Sequence, residues 1–431
     1  MHVIIIGAGA TGLYAAKKLS EQKIRVSIVE ARDRTGGRIH TVYQPATFET
    51  GAEFIHGNLE VTMQLMKEAA LKPLRMEGKW WTAENGKWIQ NENLIENEKE
   101  LLQALENLKQ DETLETFLNT RFGDARYASM REALRAFVEG YHAADIRHAS
   151  AKAFLEDWKN ADEEQYRVKN GYSVLLAFLL DAALKNGAIL HLNAAVKKVA
   201  WKKGKVTVHA ENGISIDADK VLFTIPLGVW QLNPKDKGAI RLDPALPKKE
   251  KAWKQLGFGS AIKLNLLFKN AFWHDKEILN KINVAIHPLS FLLSDEVVPT
   301  WWTQFPQESF VLTGWMAGTK ATEAAYEDED FVLKQAIRSL SQLFSLSEKD
   351  IEDQLLYSHI ANWFTDAYAR GSYSYSTVDT KTALPVAVAP VEETLFFAGE
   401  ALNDDVELGT VEAAFASAEK AVKKITGSDC P

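Results

Sequence analysis

Three glycines, one acid and one lysine carry most of the chemistry legible in this sequence. Gly7, Gly9 and Gly12 stand as G-x-G-x-x-G directly after the strand-like run HVIII and directly before the helical run ATGLYAAKKLS. In such a turn the first glycine permits the tight reversal, the second lets backbone approach a pyrophosphate, and the third lets helix and strand pack closely. Ala10 opens the helix, whose unpaired N–H groups and positive dipole end favour phosphate. VSIVEARD supplies a second strand, and Glu30 closes it 18 residues (30 − 12) beyond the last glycine, where a carboxylate accepts from a ribose 2′-hydroxyl. An acid there repels the additional phosphate of NADP, which leaves FAD or NAD. Lys263 lies inside the apolar run AIKLNLLF, where an ammonium is expensive to bury without a polar partner. Strand alternation also permits it to face outward. His56, in GAEFIHG, has the titration range of a ligand contact or proton relay, although a lone histidine usually serves simply as structure.

The elements that must position these groups are those of a folded enzyme-sized chain. At 431 residues the sequence is too long for one ordinary core, so two packed domains are expected. Hydrophobic residues at 46% and charged residues at 25% fit a soluble globular protein. A net charge of −8 argues against nucleic acid as the main ligand and mildly favours a cationic small molecule, while also serving plain solubility. The single cysteine, Cys430, excludes a disulfide framework, and the 10 scattered histidines give no metal spacing. No stretch approaches the roughly 20 apolar residues of a membrane span; the run Val174 to Leu180 soon meets Asp181. With a first strand beginning at His2 there is no room for a signal peptide, so the expectation is a cytoplasmic protein with no membrane partner.

Pattern changes outline the rest. Residues 59–78 read as helix. Lys79 to Ile89 read as a hairpin about Asn85-Gly86. From Asn91 to about Leu184, apolar residues recur at helical spacing. Ala195 to Thr224 reads as a small β-meander with turns at Lys203-Gly204 and Asn212-Gly213, feeding back into the nucleotide-binding sheet and ended by Pro226. Ala261 to Phe268 is a strand, Ala324 to Phe344 a helix, ETLFFAGEA a strand leading into a loop, and GTVEAAFASAEKAVKKI a closing helix.

EARDRTGGRIHT (Glu30 to Thr41) resembles the extended fingerprint of the flavin amine oxidase superfamily, which embraces polyamine oxidases, monoamine oxidases, bacterial amino-acid oxidases and flavin-dependent lysine demethylases. The likeness recurs in GAEFIHG, YRVKNGYSVLL, LNAAVKKV, TIPLGVW, LGFGSAIKLNLLF, WFTDAYARGSYSY, FFAGEA and GTVEAAF, and is strongest toward polyamine oxidase-like members. It implies an α/β plus α+β fold. A discontinuous Rossmann-type FAD-binding domain (1–75, 190–235 and 385–431) would interleave with a substrate-binding domain (76–189 and 236–384) of mixed β-sheet flanked by helices. It further implies non-covalent FAD, since Ser372 stands where monoamine oxidases attach the flavin through cysteine.

Carried over residue by residue, the cofactor set is Gly7, Gly9, Ala10, Gly12, Glu30, Ala31, Arg32, Gly37, Arg38, Gly51, Ala52, Glu53, Phe54, Val196, Trp363, Tyr368, Gly399, Glu400, Thr410 and Val411. Arg32 and Arg38 would neutralise phosphates. Thr410 and Val411 would turn the last helix's N-terminus toward the flavin's pyrimidine edge. Trp363 and Tyr368 would pack near the flavin, or serve as core aromatics. The catalytic set is Lys263, holding a water that bridges to flavin N5, Tyr373 as an aromatic wall beside the flavin, and His56. Thr410 replaces the second cage aromatic of monoamine oxidases, which opens that cage. Glu53, or an acid on the 140–165 helices, would hold a distal ammonium.

The expected reaction is oxidation of a polyamine or related cationic amine by hydride transfer to N5, giving an imine, then an aldehyde, and hydrogen peroxide from oxygen. The protein would act as monomer or homodimer, without metal. Two alternatives stand beside it. One is an L-amino-acid oxidase, which needs an arginine such as Arg131, Arg135 or Arg147 to fork a carboxylate. The other is an FAD-binding scaffold with little turnover.

Overall fold

The computed structural model describes residues 1–84, 87–90, 95–160, 164–285, 288–403 and 408–427. Its first sheet is wholly parallel and has five strands, in the order Ile189–His191, Arg25–Val29, His2–Ile6, Lys220–Phe223 and Leu395–Phe397. Distant parts of the chain thus meet in one layer, and the strands read as nearly continuous apolar runs because both faces are covered. Alternation along the first strand sorts the cores. Val3 and Ile5 pack against Leu13, Leu175, Leu179 and Phe415 of three helices. Ile4 and Ile6 pack against Val199, Val208 and Trp253 on the other side. That second side is built from the antiparallel meander Val196–Lys202, Lys205–Ala210 and Ser215–Ala218, as the alternation at Ala195 to Thr224 leads one to expect.

A second, mixed sheet has seven strands in the order Leu355–Asn362, Ala261–Phe268, Val311–Ala317, Thr300–Thr303, Leu289–Ser294, Lys79–Glu84 and Lys87–Ile89. The last two form the expected hairpin; its Asn85-Gly86 turn lies outside the described residues, as does Cys430. In the register of this sheet Lys263 stands opposite Trp315 on one side and Ala361 on the other. A third, three-stranded sheet joins Phe54–His56 and Pro73–Arg75 to Gln165–Val168, with Phe54 opposite Arg167.

The helix expected over residues 59–78 is shorter than that. It runs only from Glu60 to Glu68, and Pro73–Arg75 is a strand. Proline holds an extended conformation at low cost and disfavours helix in the residue before it. Likewise the helical stretch from Ala324 to Phe344 resolves into a helix beginning at Glu329, where the Asp328 side chain accepts from the Phe331 N–H and fixes the start. Among the described residues no helix is long and apolar enough to cross a membrane, and no group of three His, Cys, Asp or Glu could hold a metal.

Candidate functional site

A cavity opens where the first parallel strand turns into the helix Ala10–Glu21. Its walls include Gly7, Gly9, Ala10, Glu30, Ala31, Arg32, Gly37, Arg38, Gly51, Ala52, Val196, Trp363, Tyr368, Gly399, Glu400, Thr410 and Val411. The helix N-terminus there has neither a side-chain cap nor an acid in its first turn, so its N–H groups remain for an anion. Glu30 is buried beneath the loop. One of its oxygens accepts from the Ala8 N–H at 2.7 Å and the other from the Arg32 N–H at 2.9 Å. A carboxylate has about four lone pairs, so ribose hydroxyls can still be accepted.

The walls fit a flat, phosphate-bearing dinucleotide. A Cβ built on Gly9 would meet nothing nearer than Gly36 O at 3.9 Å, and one on Gly399 nothing nearer than Ile225 O at 4.0 Å. Both glycines therefore face ligand space. Ser372, on the cavity wall, has a buried hydroxyl without a hydrogen-bond partner among the described residues. Across the cavity Thr410 caps the final helix, accepting from the Ala413 N–H at 3.0 Å.

Several nominated residues sit differently from the sequence-based expectation. Gly12 does not line the cavity; it is pressed on the loop from behind, where a Cβ would lie 2.0 Å from Gly7 O. Arg32 and Arg38 reach the wall already paired. Arg32 forks onto Asp366 at 2.5 and 3.0 Å and lies over the Tyr368 ring. Arg38 donates to Glu400 at 2.8 Å and to Ser372 O at 2.6 Å. Two half-buried guanidinium groups beside a cavity are balanced by these partners, and the Asp366 partner lies 334 positions away in sequence. Trp363 donates its indole N–H to Thr50 O at 2.9 Å, which holds the ring against the Gly51 segment.

Glu53, Phe54, Lys263 and His56 also stand behind the wall rather than on it. Glu53 is not available to a distal ammonium. It accepts from Lys263 Nζ at 2.6 Å, Arg167 Nε at 2.8 Å, Trp302 Nε1 at 3.1 Å and Gln304 Nε2 at 3.3 Å. Burial alone would raise its carboxyl, but the two cations hold it below the usual range. Phe54 turns away from the cavity among Phe291, Trp302 and His56, with the Arg167 guanidinium 4.9 Å over its ring. Lys263 is 1% exposed, so it does not face outward; its second hydrogen bond goes to Gly51 O at 3.1 Å.

Tyr373 lines the cavity, and so does Trp315, which no motif in the sequence singles out. Their rings are parallel to within 7°, with centroids 6.4 Å apart. Both are fastened to the end of one helix: Trp315 Nε1 donates to Gly140 O at 2.8 Å and Tyr373 OH to Tyr141 O at 2.6 Å. A second aromatic face thus exists although Thr410 supplies none. It comes from the strand register that sets Trp315 opposite Lys263.

His56 shares a 3.2 Å hydrogen bond with the Tyr141 hydroxyl, and burial lowers it to about 4. It is therefore neutral near pH 7. His142, among the Phe137, Tyr141 and Phe154 rings, is also lowered to about 4 by burial. A histidine depressed from 6.5 to about 4 contributes stability above pH 6.5 that is lost as pH falls toward 4. Glu49, raised to about 7 by burial, works the opposite way, its contribution being lost as pH rises through 7. We expect the wild-type Tm to fall between pH 6.5 and 4.5, and to fall less in His142→Phe; an identical slope in the variant would contradict this assignment.

Residues 10–426 match the flavin-containing amine oxidoreductase family, and the chain belongs to it. It is a flavin oxidoreductase acting on amines, and its cofactor is FAD. It is 27% identical to polyamine oxidase 4 of Oryza sativa subsp. japonica, over 96% of this chain and 86% of that one. To lysine-specific histone demethylase 2 of Homo sapiens it is 26% identical over 98% of its own length but only 53% of the demethylase. A solved structure of wild-type putrescine oxidase bound to putrescine superposes with TM-score 0.77 at 18% identity, covering 99% of this chain and 100% of that chain, and has the same fold.

Proposed function

We propose that this enzyme oxidises the carbon–nitrogen bond of a polyamine or a similar cationic amine, using non-covalent FAD and oxygen. The observation that carries the reading is the parallel pair Trp315 and Tyr373 on the cavity wall, backed by Lys263. Two π faces attract an amine and confine its alkyl chain to one direction of approach. The helix end whose carbonyls hold both rings adds a partial negative charge that favours cations. His56 and His142, neutral at pH 7, do not repel them. When bound, FAD would accept one hydride, that is two electrons and a proton, from the amine's α-carbon and pass the two electrons to oxygen, which with that proton and the one lost from nitrogen gives hydrogen peroxide, while water opens the imine to an aldehyde. The protein's part is to hold the amine, shield the site and place Lys263.

The amino-acid oxidase reading needs an arginine free for a carboxylate. Arg131 donates to Asp124 O and Phe122 O, Arg147 forks onto Asp145, and Arg135 sits between Glu115 and Glu139. None of the three lines the cavity. The test is anaerobic: flavin absorbance is followed on adding spermine, spermidine, acetylated polyamines, benzylamine or L-amino acids. We expect bleaching by polyamines within seconds. Bleaching by amino acids alone would transfer the assignment to a carboxylate-clamping oxidase, and a flavin that stays yellow with every amine would favour a scaffold.

A further inference from the structure

Behind the flavin-facing wall lies a buried charge cluster of which the reaction as described uses only Lys263. Arg167 is fixed first: its guanidinium donates to Thr303 O at 2.9 Å and Phe305 O at 3.2 Å, and rests on Phe54. Its Nε–H is directed at Glu53. Glu53 in turn takes the Lys263 ammonium on its other oxygen at 2.6 Å, and Trp302 donates to both oxygens at 3.1 Å. Lys263 then donates to Gly51 O at 3.1 Å, and Gly51 is cavity wall. The side chains of Arg167, Glu53 and Lys263 are 4%, 2% and 1% exposed, so water cannot replace any partner.

The cluster holds two cations and one carboxylate. A carboxylate in the same layer without such partners behaves differently: Glu49, with one oxygen unpartnered among the described residues, is pushed up to about 7. Burying three ions where three apolar residues would pack is an unfavourable arrangement for stability alone. What the arrangement supplies is a fixed position, since a flexible four-carbon stem is held at its tip by a carboxylate that is itself clamped from the far side.

We propose that Glu53 is a positioning residue for the amine-oxidation site: braced by Arg167 and Trp302, it fixes the Lys263 ammonium against the Gly51 wall of the FAD cavity. The inference rests on the amine-oxidase reading for its kinetic consequence, but its effect on bound FAD is independent of which amine is used.

The test uses holoenzyme of wild type, Glu53→Gln, Glu53→Asp, Lys263→Met and the double variant Glu53→Gln/Lys263→Met. Removing the one anion leaves two cations beside the cavity, so Glu53→Gln shifts the flavin reduction equilibrium toward the reduced form by at least about tenfold, which is ~30 mV for a two-electron couple. Lys263→Met shifts it the other way. In stopped flow, Glu53→Gln lowers the limiting rate of flavin reduction by at least about tenfold with amine affinity unchanged. The double variant is no slower than Lys263→Met, because both act through one ammonium. If Glu53→Gln does not fold, Glu53→Asp keeps the charge, withdraws it by one methylene, and gives the same loss of limiting rate without loss of affinity. A flavin potential unmoved in Glu53→Gln, or rate losses that multiply in the double variant, would overturn the proposal. Failure of every amine to reduce wild-type flavin would sink the substrate reading and leave the potential measurement to judge Glu53.

Discussion

Gly9→Ala is expected to fold normally and to be purified without its flavin, whereas Gly12→Ala is expected to be destabilised before any cofactor binds. The two substitutions add the same methyl group within one six-residue motif, Gly9 before the helix and Gly12 in its first turn, and the difference lies in what each Cβ meets. Gly9 has φ −79°, which any residue adopts, and its Cβ would have only Gly36 O within reach, at 3.9 Å. The methyl group therefore costs the apo chain little and occupies the space a pyrophosphate requires. Loss of about 100-fold in FAD affinity follows, or roughly 2.7 kcal/mol. At Gly12 the Cβ would lie 2.0 Å from Gly7 O and 2.9 Å from the Thr224 hydroxyl. Backbone has to move, and overpacking of this kind costs about 3 kcal/mol or more. Thermal melts of the apo proteins, with FAD titrated back by fluorescence quenching, separate the two. Equal apo stability in both variants would mean that the loop does not clamp the helix as the structure has it.

That pair also marks how far the sequence could be read. The glycine turn, Glu30 and the closing helix are local patterns: strand, turn and helix follow one another, and each residue's neighbours in sequence are its neighbours in space. The strand Ala261–Phe268 was legible with its own bounds for the same reason, being a compact, leucine-rich apolar run before a polar break. Long-range pairing was not legible. Nothing near Glu53 announces Arg167, which arrives 114 positions later on a strand paired with Phe54–His56. Nothing in GWMAG announces that Trp315 lies parallel to Tyr373, because that depends on antiparallel register between two strands. Spacing could nominate Arg32 and Arg38 as phosphate partners, but not Asp366 and Glu400 as the acids that balance them. Residue types in a motif thus locate a site, while sheet register decides which of them face the ligand and which brace the wall behind it.

Lys263→Met is expected to slow amine-dependent flavin reduction by at least about 100-fold while leaving Tm within a few degrees of wild type. This combination is unusual for a residue that is 1% exposed; truncating one member of a buried ion pair normally destabilises by several kcal/mol because its partner is stranded. Here the partner is not stranded. With the ammonium gone, Glu53 still accepts from Arg167 at 2.8 Å and from Trp302 at 3.1 Å, and the cluster passes from two cations and one anion to one of each. Methionine fills nearly the volume of the lysine stem, so no large cavity opens next to Trp302. The rate loss has a separate origin. The ammonium tip, held at 2.6 Å by Glu53 and 3.1 Å by Gly51 O, is a fixed donor directly behind the Gly51 wall that the variant lacks, and a positioned donor or proton-handling group is commonly worth about 10²–10⁴ in rate. Stopped-flow reduction alongside thermal melts decides the matter. A variant that reduces its flavin at the wild-type rate would place Lys263 among the structural residues, and one that unfolds would mean that Glu53 depends on Lys263 more than on Arg167.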